Sequence, residues 1–252
     1  IKIYWFGQMI KILLILISLF FYSCSKNTEY KSILTNPLNA GFPESLKRFK
    51  KNNSFFLIIQ NREFDFTKPS LNNLNFGHAQ IAWNCSYNNE KYESGIGLTV
   101  NNYDTLVLKS LENGYGLNSI LLESNQLRLE GPSDIDTFVN NGAKVFSFKV
   151  DDCKKVLNNV QKILAKKITF SLLKKDNQYN CMSFILEILS NTEYEHLIKD
   201  SVMELKVPSS LLYSGKKITL EDIKNYKTLK RDYKIYFYDP NLLLSNLFSK
   251  IN

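Results

Sequence analysis

The sequence predicts an α+β fold, and three observations predict it. Apolar runs of strand length crowd the first half, at 54–60, 76–83 and 91–100. An amphipathic helix follows at Asp151–Lys166, with apolar residues at 156, 160, 163 and 164. A second, more apolar helix comes late, at Tyr179–Leu189. Strands first, helices between and after, is the order of an antiparallel sheet with helices packed against it.

Each element follows from its residues. Ser54–Gln60 (SFFLIIQ) is a continuous apolar run, and Phe64-Asp65-Phe66 extends it after a turn. In Phe76–Trp83 (FGHAQIAW), Ala79, Ile81 and Trp83 fall on one face and His78, Gln80 and Ala82 on the other. The Asn/Ser-rich stretch Asn84–Glu90 reads as a turn, and Lys91–Val100 as the second arm of a hairpin. Further strands are expected at Asp104–Leu108, around Ile120–Leu129, at Ala143–Val150 and at Lys234–Tyr238. Thr169–Leu173 is short and apolar. Gly131-Pro132 precedes a short helix, Ser133–Asn140, capped by Ser133. Ile218–Tyr226 and Asn241–Ile251 have helical patterns.

The N-terminus carries an export signal. Met9-Ile10-Lys11 supplies a positive start, preceded by eight residues of upstream extension. Ile12–Tyr22 is an uncharged apolar run, and Ser23-Cys24 follows it. Positive start, short apolar run and small residue describe a signal peptide over residues 1–23. The run is too short for a spanning helix, which needs ~20 apolar residues. Phe21-Tyr22-Ser23-Cys24 is similar to a lipobox, which makes Cys24 the lipidation site and a bacterial membrane the first partner; a plain signal peptide or an uncleaved anchor is the alternative. The implied location is an exported, lipid-anchored protein on the periplasmic or outer surface. Residues 24–45 are polar and suit a tether, 46–215 form the domain, and 216–252 pack on it by adding 234–238 to a sheet edge.

The chain of 252 residues has a formal charge of +8. Lys2 and Lys11 fall in the leader, so the remainder carries +6. The charges are scattered among Lys/Asn-rich stretches, with no arginine-rich run, which argues against nucleic acid as a partner. The absence of His-x-x-x-His and Cys-x-x-Cys argues against a zinc site, and neither a phosphate-binding loop nor a dinucleotide fingerprint calls for a cofactor. Beyond Cys24 stand Cys85, Cys153 and Cys181. An odd number in an oxidising compartment leaves at least one thiol unpaired. Pairing Cys85 with Cys153 leaves Cys181 reactive; alternatively all three are small buried hydrophobes.

Two histidines are present. His196 sits in a charged helical stretch and reads as surface. His78 follows Gly77 in a strand, with Gln80 on its face. Cys181 lies in the first turn of its helix, where unpaired N–H groups favour negative charge. Cys181 as nucleophile and His78 as base form an activated pair, with Glu93 on the neighbouring strand as the orienting residue. Tyr179, Asn180 and the helix N–H groups are candidates to hold an oxyanion, with Gln80 in support.

These residues carry a resemblance. Phe76-Gly77-His78-Ala79-Gln80-Ile81, Tyr92-Glu93-Ser94-Gly95-Ile96-Gly97 and Tyr179-Asn180-Cys181-Met182-Ser183-Phe184 resemble, in that order, the circularly permuted papain-like thiol hydrolases, the NlpC-like superfamily with its YiiX-like and LRAT-like branches. Pro208-Ser209-Ser210-Leu211-Leu212 is similar to a segment of YiiX-like members. The likeness covers about 50–215. It implies a permuted papain-like fold, Cys181 as nucleophile, His78 as base and Glu93 as third residue. Its leading functional implication is a cysteine hydrolase cleaving an amide bond, as in cell-wall peptides. Acyl or ester chemistry on a lipid with the same pair is the second, and a non-catalytic envelope lipoprotein the third.

Overall fold

The computed structural model describes residues 35–63, 77–100, 127–149, 151, 153–170, 178–208 and 232–251. The leader, Cys24, and the expected elements at 64–66, 104–108, 209–212 and 218–226 lie outside them. Among the described residues the centre is a five-stranded antiparallel sheet. It comprises β1 (Ser54–Gln60), β2 (His78–Tyr87), β3 (Glu90–Val100), β4 (Leu127–Glu130) and β5 (Lys144–Lys149), in the order β4-β3-β2-β1-β5. Helices α1 (Pro132–Asn140) and α2 (Cys153–Leu164) flank β5 in sequence. Two-residue strands β6 (Thr169–Phe170) and β7 (Gln178–Tyr179) pair in parallel and lead into α3 (Cys181–Ile188). A short α4 (Glu195–Lys199), the antiparallel pair β8 (Val202–Pro208) and β9 (Asp232–Tyr238), and α5 (Pro240–Ile251) complete the α+β chain.

The run SFFLIIQ is apolar throughout because β1 is covered on both faces. Phe55, Leu57 and Ile59 join Ala79, Ile81 and Trp83 in a large core filled from α2, α3 and α5 by Val156, Val160, Phe184, Ile185 and Leu243. Phe56 and Ile58 face the other way, with Ala82, Phe42, Leu46 and Ile135 of α1. The alternation expected along β2 is present, with both of its faces buried.

Three expectations change. The hairpin turn is not Asn84–Glu90 but Asn88-Asn89, both at positive φ (51° and 63°), as a two-residue type I′-like turn requires. Asn84 and Ser86 stay in the strand because their polar groups find partners: Asn84 Nδ2 donates to Lys51 O at 2.8 Å, and Ser86 N to Asn53 Oδ1 at 2.9 Å. Ser133 does not cap α1. Gly131 is the N-cap, Pro132 takes the first turn, and the Asp134 carboxylate accepts Gly131 N–H at 3.0 Å. Strand 232–238 adds to β8, not to the edge of the main sheet.

The end of the polar N-terminal segment, from Thr35 onward, is fixed rather than loose. Trp83 Nε1 donates to Leu38 O at 3.1 Å, which satisfies a buried indole. Gly41 N donates to Glu93 O, and Glu93 N to Asn39 Oδ1, so 39–41 covers the part of β3 that β4 leaves open. Asp136 of α1 accepts from Ser45 N at 2.8 Å and Ser45 Oγ at 2.6 Å, holding the 3-10 turn Glu44–Phe49.

Cys85 and Cys153 form a disulfide that joins β2 to the start of α2. Cys181 is the free cysteine among the described residues. No helix among them is long and apolar enough to cross a membrane.

Candidate active site

His78 opens β2. Gly77 before it has φ of +77°, and a Cβ there would lie 2.9 Å from Arg62 N and 2.9 Å from Pro240 Cγ. Glycine therefore meets both the backbone angle and the close approach. The neighbours that crowd it are tied together. Arg62 makes a forked ion pair with buried Asp239 (3.2 and 3.0 Å), and Asn241 exchanges two hydrogen bonds with the Arg62 backbone (2.6 and 2.9 Å). The C-terminal helix thus begins directly behind the histidine.

The imidazole has three neighbours. Nε2 meets Glu130 Oε2 at 2.5 Å. The ring lies over Phe138 of α1, with centroids 4.8 Å apart and planes tilted by 30°. Cys181 stands close enough to the ring to act on its charge. With Nε2 engaged by the carboxylate, Nδ1 is the nitrogen that remains for sulfur. The pair is well covered, His78 being 13% and Glu130 4% exposed.

Burial alone pulls the His78 pKa down. The Glu130 charge, then Cys181, outweigh it and hold the imidazole well above its usual 6.5. Burial likewise pushes Glu130 up, but His78, the hydrogen bond from Gln80 and the charge of Arg128 leave it below the usual carboxylate value. Both shifts favour a charged pair.

Cys181 reaches the site because Asn180 stops the preceding strand and starts α3. Asn180 Oδ1 accepts Ser183 N–H at 2.8 Å, and Ser183 Oγ accepts Asn180 N–H at 2.9 Å. This reciprocal cap fixes the first turn. The cap engages the side-chain carbonyl oxygen of Asn180, whereas an oxyanion calls on a donor, the Nδ2 amide of the same side chain. The N–H groups of Cys181 and Met182 come ahead of the capped Ser183 and have no acceptor within the helix by geometry. Tyr179 is half-buried, its hydroxyl 3.5 Å from Lys166 Nζ, which also pairs with Glu187 at 2.6 Å. Gln80 is fully buried and donates to Glu130 Oε2 at 2.9 Å, so it supports the carboxylate rather than the imidazole.

Glu93 is not the third residue. It lies opposite Asn84, six residues along β2 from His78, roughly 20 Å at ~3.3 Å per residue. Its carboxylate pairs with Lys50 (2.6 Å) and Lys91 (2.7 Å). Partial burial raises its pKa, and the two lysines more than reverse that. The acid at His78 is Glu130, one residue beyond the strand expected around Ile120–Leu129. Its local signal is an acid closing the strand Leu-Arg-Leu-Glu just before Gly131-Pro132. That signal gains meaning only once β4 is known to lie beside β3.

His196 is exposed on α4, as expected. Among the described residues no cluster of three His, Cys, Asp or Glu is suited to a metal ion.

Compared with family models, curated proteins and solved structures, the chain gives no match. What the structure defines is an α+β protein in which an imidazole at a strand end meets a buried carboxylate, with a free thiol at a helix N-terminus close by.

Proposed function

We propose that the protein is a cysteine hydrolase that cleaves an amide bond, with Cys181 as nucleophile, His78 as general base and acid, and Glu130 as the residue that orients and charges the imidazole. The observation that carries this reading is the imidazole held between the Cys181 thiol and the buried Glu130 carboxylate. A stacked ring, a two-point carboxylate and a capped helix turn restrict all three partners, which is the preorganisation nucleophilic catalysis needs.

The chemistry runs as follows. In its neutral form His78 accepts the thiol proton, and Sγ attacks the carbonyl carbon. The N–H groups of Cys181 and Met182 head the helix where the oxyanion forms. His78 then gives its proton to the leaving amine as the C–N bond breaks, leaving a thioester on Cys181. Water, deprotonated by His78, attacks the thioester and releases the acid and the thiol.

The order His strand, then Cys helix, supports a permuted papain-like arrangement of the NlpC-like kind. The Cys85–Cys153 disulfide belongs to an oxidising compartment and supports export, in agreement with the leader and Cys24. A lipid-anchored enzyme acting on cell-wall peptides is the reading these features favour.

Alkylation by iodoacetamide, assigned to Cys181 by peptide mapping, tests it. Cys181 in the folded chain is expected to react at neutral pH, and His78→Ala to slow that reaction on the order of 100-fold without loss of fold. Equal rates with and without His78 overturn the enzymatic reading. Incubation with cell-wall peptide fragments then reads amide cleavage directly.

A further inference from the structure

We propose that Gly97 is a positioning residue: its missing side chain forms the seat through which the Glu130 carboxylate crosses β3 to reach His78. This rests on the Cys181–His78–Glu130 group as the reactive site, and it assigns a function to a residue that touches neither substrate nor imidazole.

The register sets the problem. Gln80, Gly97 and Glu130 stand side by side on β2, β3 and β4. Paired residues on neighbouring strands point to the same face of a sheet. The backbones of β2 and β4 are two strand spacings apart, roughly 10 Å. The carboxylate must lie across the strand between them. A Cβ at 97 would collide with Glu130 Oε2 and come within 2.7 Å of Gln80 Cγ. Any side chain at 97 fills the space that the acid occupies.

The cost of this arrangement indicates that it is kept for a purpose. Glycine inside a strand weakens the strand. Gln80 is wholly buried, and its Oε1 has no hydrogen-bond partner among the described residues, although Nε2 serves Glu130. A buried amide left half satisfied calls for an explanation. The carboxylate is gripped by Gln80 on one side of the empty position, and Arg128 beneath it is tied to Asp134 of α1. Gly95, two residues earlier on the same face, is different. A Cβ there meets Ile135 and Ala82, so that glycine admits α1 and has no contact with the acid.

The groups facing His78 are Glu130 from β4, Cys181 from α3 and the uncharged ring of Phe138 from α1. With two histidines in the chain, the His78 imidazole titration is readable by NMR against exposed His196. In Gly97→Ala the midpoint of His78 is expected to fall by about one unit or more, as it does in Glu130→Gln. Cys181 alkylation at neutral pH is expected to slow about tenfold in both. Combining Gly97→Ala with Glu130→Gln adds no further loss, because both remove one contact. Gly95→Ala leaves the midpoint unchanged.

A folded Gly97→Ala with the native midpoint overturns the proposal. So does a double variant whose losses add. If alkylation ignores His78 altogether while the midpoint still falls, the seat stands and the hydrolase reading fails. If Gly97→Ala does not fold, Gly97→Ala with Glu130→Ala and Gln80→Ala decides the matter. Emptying the seat restores the fold if the acid and amide are what exclude a side chain, and failure of that rescue overturns the proposal.

Discussion

At one end of the central sheet a carboxylate meets an imidazole under cover. At the other, a carboxylate meets two lysines at the surface. Glu93 lies on β3, beside the strand that carries His78, and Glu130 on β4, one strand further out; both have their pKa lowered by cationic partners. They differ in what surrounds them. Glu130 is 4% exposed, with a glutamine fixing one oxygen and a glycine clearing its path. Glu93 pairs with lysines of which Lys91 is 54% exposed, where water screens the charge and the side chains are long and mobile. Residue type and strand do not make a site. Burial, and an imidazole partner fixed against the carboxylate, do.

The largest expected effect lies near the Glu93 end and separates stability from chemistry. The disulfide spans a sequence separation of 68 residues, and Cys85 pairs across the ribbon with Tyr92, beside Glu93. Replacing both half-cystines with alanine is expected to lower the unfolding free energy by about 4 kcal/mol in denaturant titrations. Below the melting range the doubly substituted chain retains His78-dependent alkylation of Cys181. Loss of that dependence in a folded variant would show that the two ends are not separable.

At the other end, Glu130→Ala leaves an uncompensated buried imidazole and is expected to cost about 3 kcal/mol, with slower alkylation. The same pair predicts a pH dependence. His78 is raised above 6.5, so its contribution is full below that value and fades as pH rises through the folded pKa. Glu130 is lowered from 4.5, so its contribution is full above that value and fades as pH falls through the folded pKa. The contribution of the pair is greatest between about 4.5 and 6.5, the window its two usual pKa values define. Glu130→Gln should flatten both flanks of a stability profile measured across that range. A profile unchanged by the substitution would remove the coupling.

Asn180→Ala removes the cap that orients Cys181. It is expected to cost about 1 kcal/mol in thermal melts and to slow alkylation of Cys181, while its capping replacement Asn180→Asp restores stability. The smallest effect is expected at Glu93→Gln, within about 0.5 kcal/mol and with no change in Cys181 reactivity. A large loss of reactivity there would reverse the comparison from which these expectations come.

Much of the fold was legible because it is written in local patterns. The run SFFLIIQ, the alternation of FGHAQIAW and the 3.6-residue spacing of 156, 160 and 163 each report their own burial. The hairpin turn is shorter than the Asn/Ser-rich stretch suggests, because Asn84 is served by the Lys51 carbonyl and Ser86 N–H by the Asn53 side chain. The strand at 232–238 was recognised but not its partner, since an edge does not announce which edge it joins.

The sequence by itself determined the α+β class, the strand that bears His78 and the helix that bears Cys181, because hydrophobic period and capping residues act over a few positions. Which acid serves the histidine was decided only by the tertiary structure. That choice depends on strand order and on the empty position at Gly97. Sheet order is a relation between segments 30 to 50 residues apart, and no local spacing encodes which of two glutamates it will bring under cover.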